Sequence, residues 1–188
     1  MTESEIKACA RCAMGEKRFL HTERCVDMAE RLAKRWGASE ELARRAAWLH
    51  DITKEVPYED QLQMIDKFGI ILNATQSSEK VIHAFTGAIV AREEFGENED
   101  VCGAIRWHTT AKSGMTLLEK VIWLADLVEE GRSFSGVEEI RRLAFENIGK
   151  ALILGFDTSL GFLVERGSLI DVSMIEARNF EISELAKG

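Results

Sequence analysis

Apolar residues recur along most of the chain three, four and seven positions apart, which is the spacing of the buried face of an α-helix. One clear stripe begins at His21 and continues through Cys25, Met28 and Leu32, while the charged residues between them fall on other faces. No segment shows the strict alternation of apolar and polar residues that is typical of a half-buried strand. The pattern therefore predicts an all-α fold.

Capping residues and glycines give the expected helix boundaries. Capping-box sequences begin at Thr2, Thr116 and Ser173, and each predicts the start of a helix. A longer, largely helical stretch is expected from Gly136 to about Glu165. The other expected features are helix starts near Lys17, Ser39, Pro57, Ser77 or Ser78 and Asn98, helix ends at Gly37, Gly69 and Gly167, a bend at Gly155, and a loop over 70–78.

Composition narrows the class of protein. The chain has 188 residues, 46% hydrophobic and 30% charged, which is typical of a single soluble globular domain covering 1–188. A net charge of -8 argues against binding a nucleic-acid polymer, because such binding needs many basic side chains. No apolar run approaches the roughly 20 residues that span a bilayer, so no membrane segment is expected. The acidic N-terminus does not resemble a signal peptide, and we expect a cytoplasmic protein.

The four cysteines do not form a convincing metal-binding pattern. Cys9 and Cys12 have the spacing of half a zinc site, but no second pair of cysteines or histidines completes it. We therefore expect reduced thiols that pack as small apolar groups.

All four histidines of the chain fall on or beside apolar helical faces, and His50 is followed directly by Asp51. Asp126 joins the same inward-facing set. Four buried imidazoles without a common purpose would each need a separate hydrogen-bond partner, whereas a transition metal explains them together. The expected ligands are His21, His50, Asp51, His83, His108 and Asp126. Six ligands are many for one catalytic ion, and two ions sharing Asp51 as a bridge would distribute them better.

This order of ligands resembles the binuclear pattern of the HD-domain superfamily. The resemblance covers about residues 14 to 180, and its flanking sequences are similar to those of the bacterial YqeK-type branch. These are Lys17-Arg-Phe-Leu-His-Thr22, His50-Asp-Ile-Thr-Lys-Glu55, Trp107-His-Thr-Thr110 and Leu124-Ala-Asp-Leu-Val-Glu129, followed by Arg132, Gly136-Val-Glu-Glu-Ile-Arg141 and Glu176-Ala-Arg-Asn179. The family usually has Glu-Pro after its Ala-Asp-x-x sequence, whereas this chain has Glu129-Glu130-Gly131, which would loosen the loop that presents Arg132.

The resemblance implies a single-domain, all-α HD-type helical bundle with a dinuclear metal site in its core. The metal-binding part would cover about 17–130, and 136–188 would give helical support. The implied reaction is symmetrical hydrolysis of diadenosine tetraphosphate to two ADP, with iron as the expected metal and manganese, cobalt, nickel or zinc as alternatives. By analogy one ion would be held by His21, His50, Asp51 and Asp126, and the second by Asp51, His83 and His108.

Substrate contacts are harder to assign from the sequence. Lys54 lies three residues beyond Asp51, about one helical turn if the helix continues, and is a candidate phosphate contact, as is Arg132, although either is equally well a solvated surface charge. Thr109 could donate a hydrogen bond to substrate or simply cap its helix. Three aromatic residues near the ligands, Trp48, Phe85 and Trp107, are more readily interpreted as core than as a platform for adenine. Three acidic residues could accept hydrogen bonds from the imidazoles of the ligands: Asp27, Glu119 and Glu129. The favoured interpretation is that they are solvated charges on helix surfaces.

Other functions fit the same ligand order. Another HD-type nucleotide phosphatase or phosphodiesterase would use the metals in the same way, because metals recognise phosphate whatever it is attached to. The superfamily also contains di-iron oxygenases with this ligand order, and a non-catalytic nucleotide sensor is a third alternative. The expected partner is a small dinucleoside polyphosphate or nucleotide, and both a monomer and a homodimer are left open.

Overall fold

The computed structural model describes residues 1–187, and within them the chain forms ten α-helices and no β-strand. The expectation of an all-α fold is confirmed. The helices are α1 Glu3–Ala13, α2 Glu16–Trp36, α3 Glu40–Leu49, α4 Tyr58–Lys67, α5 Ile82–Glu93, α6 Glu99–Trp107, α7 Leu117–Val128, α8 Val137–Glu146, α9 Ile148–Glu165 and α10 Val172–Leu185.

Several helix ends are stabilised by the expected side chains. Thr2 and Thr116 both form complete capping boxes, in which the threonine hydroxyl accepts the N3 amide and the N3 glutamate accepts the cap amide. Ser39 and Asn98 each accept one amide in the first turn of α3 and α6. Gly37 ends α2 with φ +77°, a conformation that favours glycine. These predictions are confirmed.

The prediction of one largely helical stretch from Gly136 to about Glu165 is wrong in one respect: the stretch forms two helices, α8 and α9. Asn147 breaks it with an extended backbone, donates its amide to the Leu143 carbonyl, and accepts the Lys150 amide on its side chain. No bend is needed at Gly155, which lies inside α9 where that helix packs on α7. A Cβ atom there would lie 2.8 Å from Trp123 and Leu127, so the glycine permits close approach of the two helices.

Two other predicted helix starts are also wrong. Asp171, two residues before Ser173, is the N-cap of α10 and accepts the Ser173 amide. The hydroxyl of Ser173 instead contacts Asp171 and the Thr110 carbonyl. The helix α5 begins only at Ile82 and has no side-chain cap, because the Ser78 hydroxyl donates to the Thr75 carbonyl.

Within the described residues a small hydrophobic cluster joins α4 to α5, and a larger one joins most of the helices, from Ile6 in α1 to Ala177 in α10. Its centre is α2, which packs on α3 and α7, while α6 lies between α5 and α7 and α9 lies on α7. Gly87 allows α5 to pack closely on α6, since a Cβ there would lie 3.3 Å from the Ile105 side chain. This packing brings the ends of α3 and α6 next to the second turn of α2 and the last turn of α7. No described helix is long and apolar enough to cross a membrane.

Candidate metal centre

The six predicted ligands come from five separate parts of the fold and meet at one place. His21 lies in α2, His50 and Asp51 follow α3, His83 is in the first turn of α5, His108 caps α6, and Asp126 lies in α7. The imidazoles form a row: the ring centroids are 5.6 Å apart for His21 and His50, 5.1 Å for His50 and His108, and 5.0 Å for His83 and His108. The convergence expected from the sequence is present.

His50 and His108 are held in the same way at the ends of their helices. His50 Nδ1 lies 2.7 Å from the Ala47 carbonyl oxygen, and His108 Nδ1 lies 2.6 Å from that of Ile105. Each contact fixes the ring and directs Nε2 towards the centre. Although it is buried, His50 Nε2 has no hydrogen-bond partner among residues 1–187. A buried nitrogen with a free lone pair is costly by itself and is suited to binding a metal.

Asp51 lies at the middle of the cluster and is only 4% exposed. Its Oδ1 atom is 3.2 Å from His83 Nε2 and 3.9 Å from His108 Nε2, whereas Oδ2 is 3.6 Å from His50 Nε2. Burial alone would raise the pKa of this carboxyl, but the neighbouring imidazoles of His50 and His83, the latter also through a hydrogen bond, hold it well below its ordinary value. Asp51 is therefore ionised, and its two oxygens face different histidines.

The opposite side of the cluster is formed by His21, Asp126 and Glu129. His21 Nε2 is 3.1 Å from Asp126 Oδ1, and its Nδ1 is 3.2 Å from Glu129 Oε1. Burial opposes the charged imidazole, but Asp126 outweighs it and raises the pKa of His21. Burial would likewise raise the pKa of Asp126, yet His21 and Arg132 hold it well below the usual range. Asp126 thus faces Nε2 of His21, and Glu129 contacts the same ring at Nδ1.

Burial favours the neutral forms of two of the predicted ligands, His83 and His108. Burial lowers the pKa of His83 against the pull of Asp51. Burial, followed by the nearby His83 and His50, lowers the pKa of His108 to about 3. Their Nε2 atoms lie 3.1 Å apart. Neutral imidazoles beside ionised carboxylates are the donor set that divalent transition metals bind.

Three basic side chains surround this donor set. Lys54 Nζ lies 3.0 Å from His83 Nδ1, and burial lowers the pKa of its ammonium group. Arg132 donates to both the side chain and the carbonyl of Asp126, at 2.6 and 2.9 Å. Arg18 NH1 donates to Asp51 Oδ2. Every one of these cations contacts a predicted metal ligand.

A cleft of about 740 Å³ opens beside His108 and Asp126. Arg132 and Thr109 line it near the cluster, and the Thr109 hydroxyl is buried without a hydrogen-bond partner in the described part of the chain. Thr109 therefore does not cap its helix through this hydroxyl. The far wall comes largely from α9 and its neighbours and includes Trp123, Leu127, Phe134, Phe162, Leu163 and Met174.

A family model described as HD domain matches residues 18–131. The chain belongs to the HD domain family. All six predicted ligands lie inside the matched region, and Arg132 follows directly after it.

Relatives of this HD domain protein are similar over nearly its whole length. The symmetrical bis(5'-nucleosyl)-tetraphosphatase of Bacillus subtilis is 37% identical over 167 residues, which cover 88% of this chain and 90% of that protein. The enzyme of the same name from Halalkalibacterium halodurans is 36% identical over 156 residues, covering 82% and 83%. A crystal structure from Clostridium acetobutylicum, described as a predicted HD superfamily hydrolase involved in NAD metabolism, is 36% identical with a TM-score of 0.93 and 98% coverage of both chains.

The HD domain contains three further site residues. Glu129, considered from the sequence as an acceptor for a ligand imidazole but more readily as a solvated charge, is 3% exposed and contacts His21. Cys25 is buried, with Sγ 3.5 Å from His21 Nε2, and burial raises the pKa of its thiol. Arg18 lies one turn before His21 in α2, and that spacing is the signal that could have identified it. Of the other two acidic candidates, Asp27 is exposed and Glu119 is buried in its capping box beside Lys112.

Proposed function

We propose that this protein is a metal-dependent hydrolase that cleaves diadenosine tetraphosphate symmetrically into two ADP molecules. One observation carries the proposal: a buried cluster of ionised carboxylates and neutral imidazoles opens directly onto a cleft of about 740 Å³. Ligand pockets typically have volumes of about 300 to 1,000 Å³, so this cleft has room for one nucleoside. The names of the two curated relatives support the choice of substrate.

We propose two metal ions in this centre, with iron as the expected metal. His21, His50, Asp51 and Asp126 would hold one, and Asp51, His83 and His108 the other. Bound metals of this kind lower the pKa of a bound water and neutralise the charge of phosphoryl oxygens. The unpartnered Nε2 of His50 and the two-sided environment of the Asp51 carboxylate support this arrangement, because each leaves a donor atom facing the centre.

The basic residues would orient the polyphosphate. Lys54 lies over His83, and Arg132 lies between Asp126 and the cleft, so each is close to the proposed position of the phosphoryl group. Thr109 would offer its free hydroxyl on the wall of the cleft near the cluster. Charge-assisted hydrogen bonds of this kind fix the direction of a flexible anion. A nucleoside in the cleft would then place one half of the substrate, while the other half extends outwards.

The partner in this proposal is a small dinucleoside polyphosphate, and no nucleic-acid polymer is involved. The net charge of -8 agrees with this, because the local cations beside the metal centre serve one short anion instead of a long backbone. The cytoplasmic location and the homodimer stay predictions.

The test is a product assay on anaerobically purified protein loaded with Fe²⁺ or Mn²⁺. Diadenosine tetraphosphate should give ADP as the only nucleotide product. Asp51→Asn should lose both metal and turnover while it keeps its helical circular-dichroism spectrum, and the matched control Asp27→Asn, an exposed position on α2, should behave as the unchanged protein. Turnover that survives Asp51→Asn would refute the proposal.

Assays of the same protein with other substrates, and with and without dioxygen, separate the alternatives. Release of inorganic phosphate from a mononucleotide, without cleavage of the dinucleotide, would identify a nucleotide phosphatase. Strict dependence on dioxygen with an organic substrate would identify an oxygenase. Tight nucleotide binding without any product would identify a sensor.

A further inference from the structure

Arg18 is in direct contact with the central carboxylate of the metal centre. It lies one helical turn before His21 in α2, and its NH1 group donates to Asp51 Oδ2. Its Nε atom is buried and has no hydrogen-bond partner within residues 1–187. The nearest other carboxylate is that of Glu55, with Oε1 3.8 Å from Nε. The guanidinium therefore uses one donor on Asp51 and keeps another unused.

The oxygen that Arg18 contacts is the one that faces the first group of ligands. Asp51 Oδ2 lies 3.6 Å from His50 Nε2, the unpartnered nitrogen. A metal ion bound by both atoms would lie beside the Arg18 guanidinium, and two cations so close together in a buried site repel strongly. Arg18 thus holds a positive charge at the place where the metal is expected.

We propose that Arg18 and a metal ion compete for Asp51, and that metal binding releases Arg18 to bind a phosphoryl group of the substrate. This inference rests on the proposed function. The side chain is 31% exposed, so it has a route out of the cluster. Glu55, 45% exposed, lies at that route and keeps the released guanidinium close. An arginine fork with a free Nε–H is well suited to bidentate contact with phosphate.

Competition and structural support make opposite predictions for metal affinity. If Arg18 only positions Asp51, its removal loosens the carboxylate and metal binds more weakly. If Arg18 competes, its removal frees Oδ2 and metal binds more tightly. Coupling between two binding events is reciprocal. The free energy by which Arg18 weakens metal binding therefore equals the free energy by which bound metal weakens the contact between Arg18 and Asp51.

The experiment measures Mn²⁺ affinity by calorimetric titration of the metal-free protein, and KM for diadenosine tetraphosphate at saturating Mn²⁺. Arg18→Gln should bind Mn²⁺ more tightly by about fivefold or more and raise KM by about tenfold or more. Arg18→Lys keeps the charge but loses the fork, so it should keep nearly the original Mn²⁺ affinity and still raise KM. The control Lys17→Gln removes a neighbouring exposed charge and should change neither value.

Several results would overturn the inference. Weaker Mn²⁺ binding by Arg18→Gln would show structural support instead of competition, and an unchanged KM would remove the phosphate contact. In both cases the unchanged protein still binds Mn²⁺ and forms ADP, so the proposed function stands. Absence of Mn²⁺ binding or of ADP formation in the unchanged protein would overturn the proposed function itself, and this inference with it. Should Arg18→Gln not fold, Arg18→Lys still tests the phosphate contact through KM.

Discussion

Glu129→Gln tests whether the carboxylate behind His21 supports the metal centre. Glu129 is 3% exposed at the end of α7. One of its oxygens lies 3.2 Å from His21 Nδ1, and the other accepts the amide of Gly131. A carboxylate can accept from both donors at once, whereas an amide has a single oxygen and presents an NH₂ group to the second donor. The substitution therefore leaves one of these two donors facing an NH₂ group, without changing the volume of the side chain.

The size of the effect follows from these two contacts. A hydrogen bond to a buried charged group contributes about 1.5 to 3 kcal/mol. Loss of the partner behind a metal-ligating histidine lowers metal affinity about 10- to 100-fold, which corresponds to about 1.4 to 2.7 kcal/mol. We expect a loss of Mn²⁺ affinity in this range and a parallel fall in kcat/KM, because His21 Nε2 would no longer be fixed 3.1 Å from Asp126.

The assay is competition for Mn²⁺ between the protein and a chromophoric chelator, with thermal unfolding of the metal-free protein measured in parallel. The control is Glu130→Gln, the next residue, which is exposed and pairs with Arg31 at 2.9 Å. Surface ion pairs contribute little, so this control should stay within about twofold of the unchanged protein. Equal Mn²⁺ affinity in the Glu129 and Glu130 variants would refute the role given to Glu129.

Two further predictions concern stability. The metal-free protein should lose stability as pH falls from about 6.5 towards 3, by up to about 1.4 kcal/mol per pH unit for each histidine concerned. The sign follows from His108, whose pKa is lowered to about 3 in the folded protein, because the unfolded chain binds its proton first and is favoured at lower pH. Urea unfolding across this range should show the loss and His108→Gln should reduce it, whereas an equal slope in both proteins would contradict the reasoning. Separately, Gly155→Ala should destabilise the fold by about 1 to 3 kcal/mol through overpacking, because its Cβ would lie 2.8 Å from Trp123 and Leu127. Gly161→Ala in the same helix, with nothing within 4 Å, is the control, and equal urea midpoints for the two variants would contradict this prediction.

The helices were predictable where their ends depend on neighbouring residues alone. The capping boxes at Thr2 and Thr116 close within four residues, so the local sequence contains the whole interaction. At the start of α10 the local sequence offers two caps, Asp171 and Ser173. Asp171 forms the cap, whereas the Ser173 hydroxyl contacts the distant Thr110 carbonyl, a contact that only the fold provides. The apolar period continues through both α8 and α9, so the sequence pattern did not indicate a break at Asn147. The position of that break depends on how the two helices pack in the fold.

The predicted ligands could likewise be identified from the local sequence, whereas several residues around them could not. Each ligand lies on an apolar stripe, so its inward direction could be inferred from spacing, and the family resemblance supplied the set. Glu129 and Arg18 could not be placed so easily, because their partners are 108 and 33 residues away in the chain. The cleft was also beyond inference, since part of its wall comes from α9, whose position on α7 depends on the small Gly155.

Charge balance links the metal centre to its proposed substrate. The carboxylates of Asp51 and Asp126 are paired with Arg18 and Arg132 in the structure, so the cluster has its own counter-charges before any metal binds. Metal ions would therefore bring excess positive charge into a buried site whose carboxylates the arginines already balance. A polyphosphate is the kind of anion that could balance this excess, because it can contact the metals and both arginines together. On this argument the arginines lower metal affinity in the resting protein and raise it once substrate is bound, so Mn²⁺ should bind more tightly with a non-hydrolysable dinucleotide than without it.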